Sequence, residues 1–262
     1  MTYQQAIKYL KRAQNANGSW DPGDPMVCAR ALYALSDDES SEEVIEKGLY
    51  YLERCQISDG SFPAKTGVYT DAAGTAYTLI ILNKFHYSKA SLIVSRGIMW
   101  LLEHQGPDGS WSGRNSRKNA YTTSLCLRAM HTYYLNGLSW YRLGLVHLLE
   151  QLSDPRFWEE PVSHVYAPVL NLQRIGLMTD ELRKSFIEFS EEHINAAIAA
   201  GQTADIAYLC GTLAAIKGGP ISQCTEYIES AQNADGGFGK DKSRDSNPNW
   251  TALAILALGN RL

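Results

Sequence analysis

Apolar residues recur along this chain at helical spacing, in two alternating styles. In residues 6–14, 48–56, 97–105 and 224–232 they fall at i, i+3 and i+4, with Lys, Arg and Glu on the other side, the pattern of helices half in contact with solvent. After a short polar stretch, each is followed by a segment apolar around nearly its whole circumference: residues 27–35, 75–82, 123–130 and 251–258. Such helices need cover on several sides, so they are expected inside a layer made of the first kind. Two weaker copies fill the gap. Residues 144–152 and 182–193 keep the outer pattern, with inner partners at 165–175 and 205–216.

One turn joins the two styles. It reads Gln, three residues, Gly, a small residue and an aromatic: Gln14 to Gly18 and Trp20, Gln56 to Gly60 and Phe62, Gln105 to Gly109 and Trp111, Gln232 to Gly236 and Phe238. Trp158 falls in the aromatic slot of a degenerate copy. A unit repeated at this period means a stacked or closed array. Six outer–inner pairs with no polar end caps predict an all-α chain folded as a closed (α/α)6 barrel, residues 1–262 forming a single domain. An open solenoid is the structural alternative, and it requires end caps.

Composition narrows the partners. A net charge of −4 supplies no basic field, so no nucleic-acid partner is expected. Cys28, Cys55, Cys126, Cys210 and Cys224 lie on apolar patterns without a Cys-x-x-Cys pair and are expected as buried thiols in a reducing compartment. The first residues alternate charge with apolar side chains, and no run approaches membrane-spanning length. A cytoplasmic protein without a signal peptide or transmembrane segment is expected; the oligomeric state is left open.

The Gln-x-x-x-Gly-[Ser/Gly]-[Trp/Phe] repeat resembles that of the class II terpene cyclases (squalene and oxidosqualene cyclases) and the protein prenyltransferase β subunits. The resemblance implies a toroid of helical hairpins whose central cavity holds an isoprenoid chain. Cyclases of that kind carry Asp-x-Asp-Asp-Thr-Ala at the start of an inner helix, the middle Asp giving the proton. Here the frame is Asp71-Ala72-Ala73-Gly74-Thr75-Ala76, with Ala73 at the proton-donor position. The prenyltransferase zinc ligands also lack matches: Ala207 stands where a Cys is expected after Asp205, and Trp250 where a His precedes Thr251. Neither a metal nor a cofactor is expected.

Aligned on one another, the inner segments give three rings. Asp24, Asp71, Asn119, Val162, Asp205 and Asn247 hold the helix starts, where Asp and Asn cap backbone N–H groups; Asp71, beside Tyr69 and Tyr77, is the candidate acid. Two residues on, Met26, Ala73, Tyr121, His164, Ala207 and Asn249 form a ring expected to face the cavity, which makes His164 a candidate base or orienting group. Deeper on the same stripe lie Arg30, Tyr77, Arg128 and Asn171. Buried arginines need anions or carbonyls, so Arg30 and Arg128 are candidates to bind a carboxylate or diphosphate, or to pair with the capping aspartates. Tyr77, Tyr121, Trp250, Arg30, Arg128 and Asn249 are therefore the expected substrate-binding residues.

The expectation is an enzyme holding a small apolar, isoprenoid-derived substrate for acid/base-assisted cyclisation or isomerisation. Two other readings stand beside it: a non-catalytic binding or scaffold toroid, and a toroid acting on a peptide or saccharide through Asp24, Asp71 and Asp205.

Overall fold

The computed structural model describes residues 2–63, 71–111 and 120–259, the side chains of Thr2 and Asp71 excepted. Among the described residues the chain forms twelve α-helices. The outer members are α1 (Thr2–Arg12), α3 (Glu42–Arg54), α5 (Leu92–Glu103), α7 (Ser139–Leu152), α9 (Asp180–Ala199) and α11 (Ile221–Ser230). The inner members are α2 (Pro25–Leu35), α4 (Asp71–Lys84), α6 (Ala120–Thr132), α8 (Val162–Arg174), α10 (Thr203–Ile216) and α12 (Pro248–Leu258). Each inner helix packs on the next, and α12 packs on α2, so the inner ring closes. This is the (α/α)6 toroid that the two styles of helix predict.

The repeated turn works as a three-part fastener. Its Gln amide donates to the carbonyl of its own Gly and to the start of the next outer helix: Gln14 to Gly18 and Val44, Gln56 to Gly60 and Ile93, Gln105 to Gly109 and Trp140, every one at 2.8–3.1 Å. Its aromatic residue is buried, and the indoles of Trp20 and Trp111 each donate to a carbonyl of the preceding outer helix, Leu10 and Leu101, at 2.7 Å. The backbone N–H of the aromatic residue donates to a Thr hydroxyl in the first turns of the following inner helix: Phe62 to Thr75, Trp111 to Thr123 and Phe238 to Thr251. Thus the Gln, the Gly and the aromatic residue, with the Thr in three of the four full repeats, satisfy backbone groups that no helix ladder reaches.

The same fastener joins the two ends of the chain. The turn glycines sit at positive φ and press on the neighbouring outer helix. A Cβ on Gly18 would lie 2.2 Å from the Lys47 carbonyl oxygen, one on Gly109 2.5 Å from that of Leu143, and one on Gly236 2.8 Å from that of Gln5 in α1. Arg12 adds a bond to the Asp235 carbonyl at 2.8 Å. No open end therefore needs a cap.

Some local expectations shift. Asp24 and Asn247 do cap α2 and α12, accepting from Met26, Val27 and Asn249 N–H groups, whereas Asp205 lies inside the first turn of α10. Phe157 is the more buried aromatic of the degenerate turn, with Trp158 half-buried against Phe189. Cys55 is half-buried and the other four thiols are buried, all unbridged. The outer faces of α5 and α7 carry exposed Leu92, Met99, Trp140, Leu143, Val146 and Leu149, where charge was expected. No helix among the described residues is long and apolar enough to cross a membrane.

Candidate functional site: an arginine and tyrosine centre

Inner helices present residues to the axis every third or fourth position, and what they present is neither empty nor uniformly apolar. Arg30 and Tyr33 of α2, Tyr77 of α4, Tyr121, Leu125 and Arg128 of α6 meet Tyr166, Leu170 and Asn171 of α8 and Leu253 and Leu256 of α12 around a cavity of about 30 Å³. That is room for roughly two waters. Arg128 and Tyr77 are each half-buried and line this cavity.

Each guanidinium is held by an asparagine. Arg30, only 3% exposed, donates to the Asn249 side-chain oxygen and lies 5.8 Å from the centre of the Tyr77 ring. Arg128 donates to the Asn171 oxygen at 3.1 Å, and the Asn171 amide donates to Ser124 Oγ at 3.0 Å. Burial lowers the Arg128 pKa and the nearby Arg174 charge adds to that, with the Tyr33 and Tyr77 hydroxyls opposing. Burial likewise raises Tyr77, partly offset by Arg30 and Arg128, and pushes Tyr166 well up. The wall continues in rings: Tyr121 meets Tyr166 edge-on at 6.2 Å, and Tyr166 stacks on Tyr208 at 4.0 Å.

The sequence-predicted residues fall in several places. Arg30, Arg128, Tyr77 and Tyr121 line the cavity, and Asn249 reaches it through Arg30. Arg30 bonds to Asn249 and Arg128 to Asn171, and the Arg30 charge also acts on the capping Asp24. Trp250 belongs to a different place: it lines an open polar groove with Gln202, Lys240, Arg244, Asp245 and Asn247 at the α10 and α12 starts. His164 does not face the axis. It is 57% exposed and its Nδ1 lies 3.3 Å from Glu160. The inward stripe of α8 carries Tyr166 and Leu170, which lie more than about 100° around the helix from His164. Met26, Ala73 and Ala207, expected on the cavity-facing ring, are each about 1% exposed and packed rather than open. The Asp71 side chain, like Tyr69 and Asn119, lies outside the described residues; its backbone opens α4.

Tyr33, Tyr166 and Tyr208 went unrecognised in the sequence. Tyr33 follows Arg30 by three positions, the spacing of one helical face, so it was open to detection. Tyr166 and Tyr208 depend on how α8 and α10 are turned about their own axes.

With this geometry in place, the relatives can be compared. The prenyltransferase alpha-alpha toroid domain matches residues 1–148 and 177–261, and the chain belongs to that family. Two drimenyl diphosphate synthases share part of the sequence. The one from Streptomyces showdoensis is 26% identical over 121 residues, 42% of this chain and 23% of that protein. The one from Streptantibioticus cattleyicolor is 35% identical over 69 residues, 24% of this chain and 13% of that protein. The matched stretch is thus less than a quarter of either relative's length. Among solved structures, a protein from Actinoplanes superposes with a TM-score of 0.79 at 15% identity, covering 99% of this chain and 98% of that one. The type II terpene cyclase MstE from Scytonema gives 0.69 at 14%, covering 98% and 96%. These similarities show a terpene cyclase-like toroid fold.

Proposed function

We propose that this toroid, residues 1–262 acting as one unit, is a terpene cyclase-like enzyme that holds an isoprenoid-derived substrate on its axis for acid/base-assisted cyclisation or isomerisation. The observation that carries the proposal is the wall of Tyr33, Tyr77, Tyr121 and Tyr166 around the axial cavity. Tyrosine faces stabilise a developing carbocation through the ring quadrupole. Asp71, at the start of α4, is the acid on this reading, and the phenol rings are the surface on which positive charge forms. A cavity of about 30 Å³ is far below the ~300 Å³ of a small ligand pocket. Substrate entry therefore requires side chains such as Tyr33 and Tyr121 to swing off the axis. His164 is too exposed to move a proton at the axis.

The test is product analysis by gas chromatography and mass spectrometry after incubation with farnesyl and geranylgeranyl diphosphate and with neutral prenylated arenes. The expected result is a cyclised or isomerised product whose formation falls by roughly 10²–10⁴-fold in Asp71→Asn, the usual worth of a positioned acid, and is unchanged in His164→Ala. Turnover that survives Asp71→Asn removes the acid. No turnover of any substrate leaves the non-catalytic, ligand-binding toroid, which Ala73 at the proton-donor position favours.

A further inference from the structure

Arg128 lines the cavity with a positive charge. Among the described residues no carboxylate pairs with Arg128: its neighbours are Asn171, the Tyr33 and Tyr77 hydroxyls and the like-charged Arg174. A guanidinium has five N–H donors; Asn171 takes one of them, at 3.1 Å, and the Tyr33 hydroxyl is a second partner. Arg30 faces the same cavity from α2. Burying such a group is costly unless it is matched by an anion, and apolar residues of similar length would fill the space without that cost. The surroundings are built to orient it: the Asn171 amide is spent on Ser124, which turns the Asn171 oxygen toward Arg128.

We propose that the axial cavity seats the carboxylate of an apolar acid, its oxygens on the Arg128 guanidinium with Arg30 in the same lining. Charge selects the anion. A carboxylate's single charge matches the single charge of Arg128, whereas a diphosphate would bring two or more charges into the buried site against it. A planar guanidinium also matches a carboxylate with two parallel hydrogen bonds. Leu125, Leu170, Leu253 and Leu256 in the same wall suit the apolar chain that the carboxylate terminates. The inference rests on the axis being the ligand site and is independent of turnover.

Titration calorimetry with farnesoic acid, its methyl ester and farnesyl diphosphate tests it. The acid is expected to bind, and the ester roughly tenfold to a hundredfold more weakly, the range for a hydrogen bond to a charged group. The diphosphate is expected to bind more weakly than the acid. Arg128→Met is expected to reduce acid affinity to the ester's level while leaving the ester within a few-fold, and Tyr33→Phe to cost the acid less than Arg128→Met does. An ester as tight as the acid, a diphosphate tighter than the acid, an acid that does not bind, or undiminished acid affinity in Arg128→Met overturns the proposal. The acid, ester and diphosphate comparison on the unaltered protein stands even where a variant fails to fold. Acid binding without product formation removes the cyclisation proposal alone, and product formation without preference for the acid removes the carboxylate seat alone.

Discussion

Gly236→Ala tests how the ring is closed, because it adds one methyl group where the last turn sits on the first helix. Gly23→Ala is the matched control. Both glycines have positive φ, +89° and +84°, but a Cβ on Gly23 meets nothing within 4 Å, whereas one on Gly236 would lie 2.8 Å from the Gln5 carbonyl oxygen and 3.2 Å from its carbon. The shared backbone strain costs about 1–2 kcal/mol, reduced by the entropy alanine removes from the unfolded chain. Ordinary contact begins at 3.4 Å, so α1 must retreat by 3.4 − 2.8, about 0.6 Å. Overpacking against backbone of this kind costs about 1–3 kcal/mol more. An added 2 kcal/mol corresponds to a Tm roughly 4–8 °C below the control for a chain of this size. Urea unfolding at constant m reads the same difference in the midpoint. Gly18→Ala, facing Lys47 oxygen at 2.2 Å, should be worse than either. A Gly236→Ala protein as stable as Gly23→Ala would mean that the last turn does not press on α1 and that closure by the common fastener is mistaken.

Two further outcomes follow from the same contacts. Thr251→Val keeps the shape but leaves the buried Phe238 N–H, now 2.9 Å from the hydroxyl, without an acceptor; a loss of about 1–3 kcal/mol is expected, recovered by Thr251→Ser and read by urea unfolding and by faster exchange of the Phe238 amide. Asp24 is 2% exposed and burial raises its pKa, against the N–H bonds of Val27 and Met26 and the charge of Arg30. Its folded pKa thus lies above the unfolded one, the folded state binds the proton more tightly, and stability contributed by this group falls as pH rises from the unfolded value through the folded value. Asp24→Asn keeps the cap acceptor and removes the titration. Relative to wild type it should therefore gain stability at neutral pH over what it shows at pH 3, and an identical pH slope in the two proteins would refute the assignment.

The ring of helices was legible because its physics is local. Amphipathic against all-round apolar segments separates the two layers, and Gln-x-x-x-Gly-x-aromatic marks each turn by the backbone groups it satisfies. Even the degenerate α7–α8 and α9–α10 pairs follow from spacing alone. Arg30, Tyr77, Tyr121 and Arg128 reached the axis as expected, Tyr121 and Arg128 together because they lie about two turns apart on one helix, α6. His164 missed the axis because the stripe that α8 turns inward carries Tyr166 and Leu170, and Trp250 missed it because a residue one position past Asn249 turns about 100° away from it, onto the rim groove. The pairing of the arginines with asparagines was hidden for another reason: Asn171 and Asn249 come from neighbouring inner helices, α8 beside α6 and α12 beside α2, so no pattern within one helix carries it.

The most direct test of the account is a crystal structure of the protein grown with an isoprenoid ligand, farnesoic acid first. The account predicts density on the axis among Tyr33, Tyr77, Tyr121 and Tyr166, with at least one of those rings displaced and the head group within hydrogen-bond distance of Arg128. Unmoved tyrosines around a void holding only water, with the ligand elsewhere or nowhere, would contradict it.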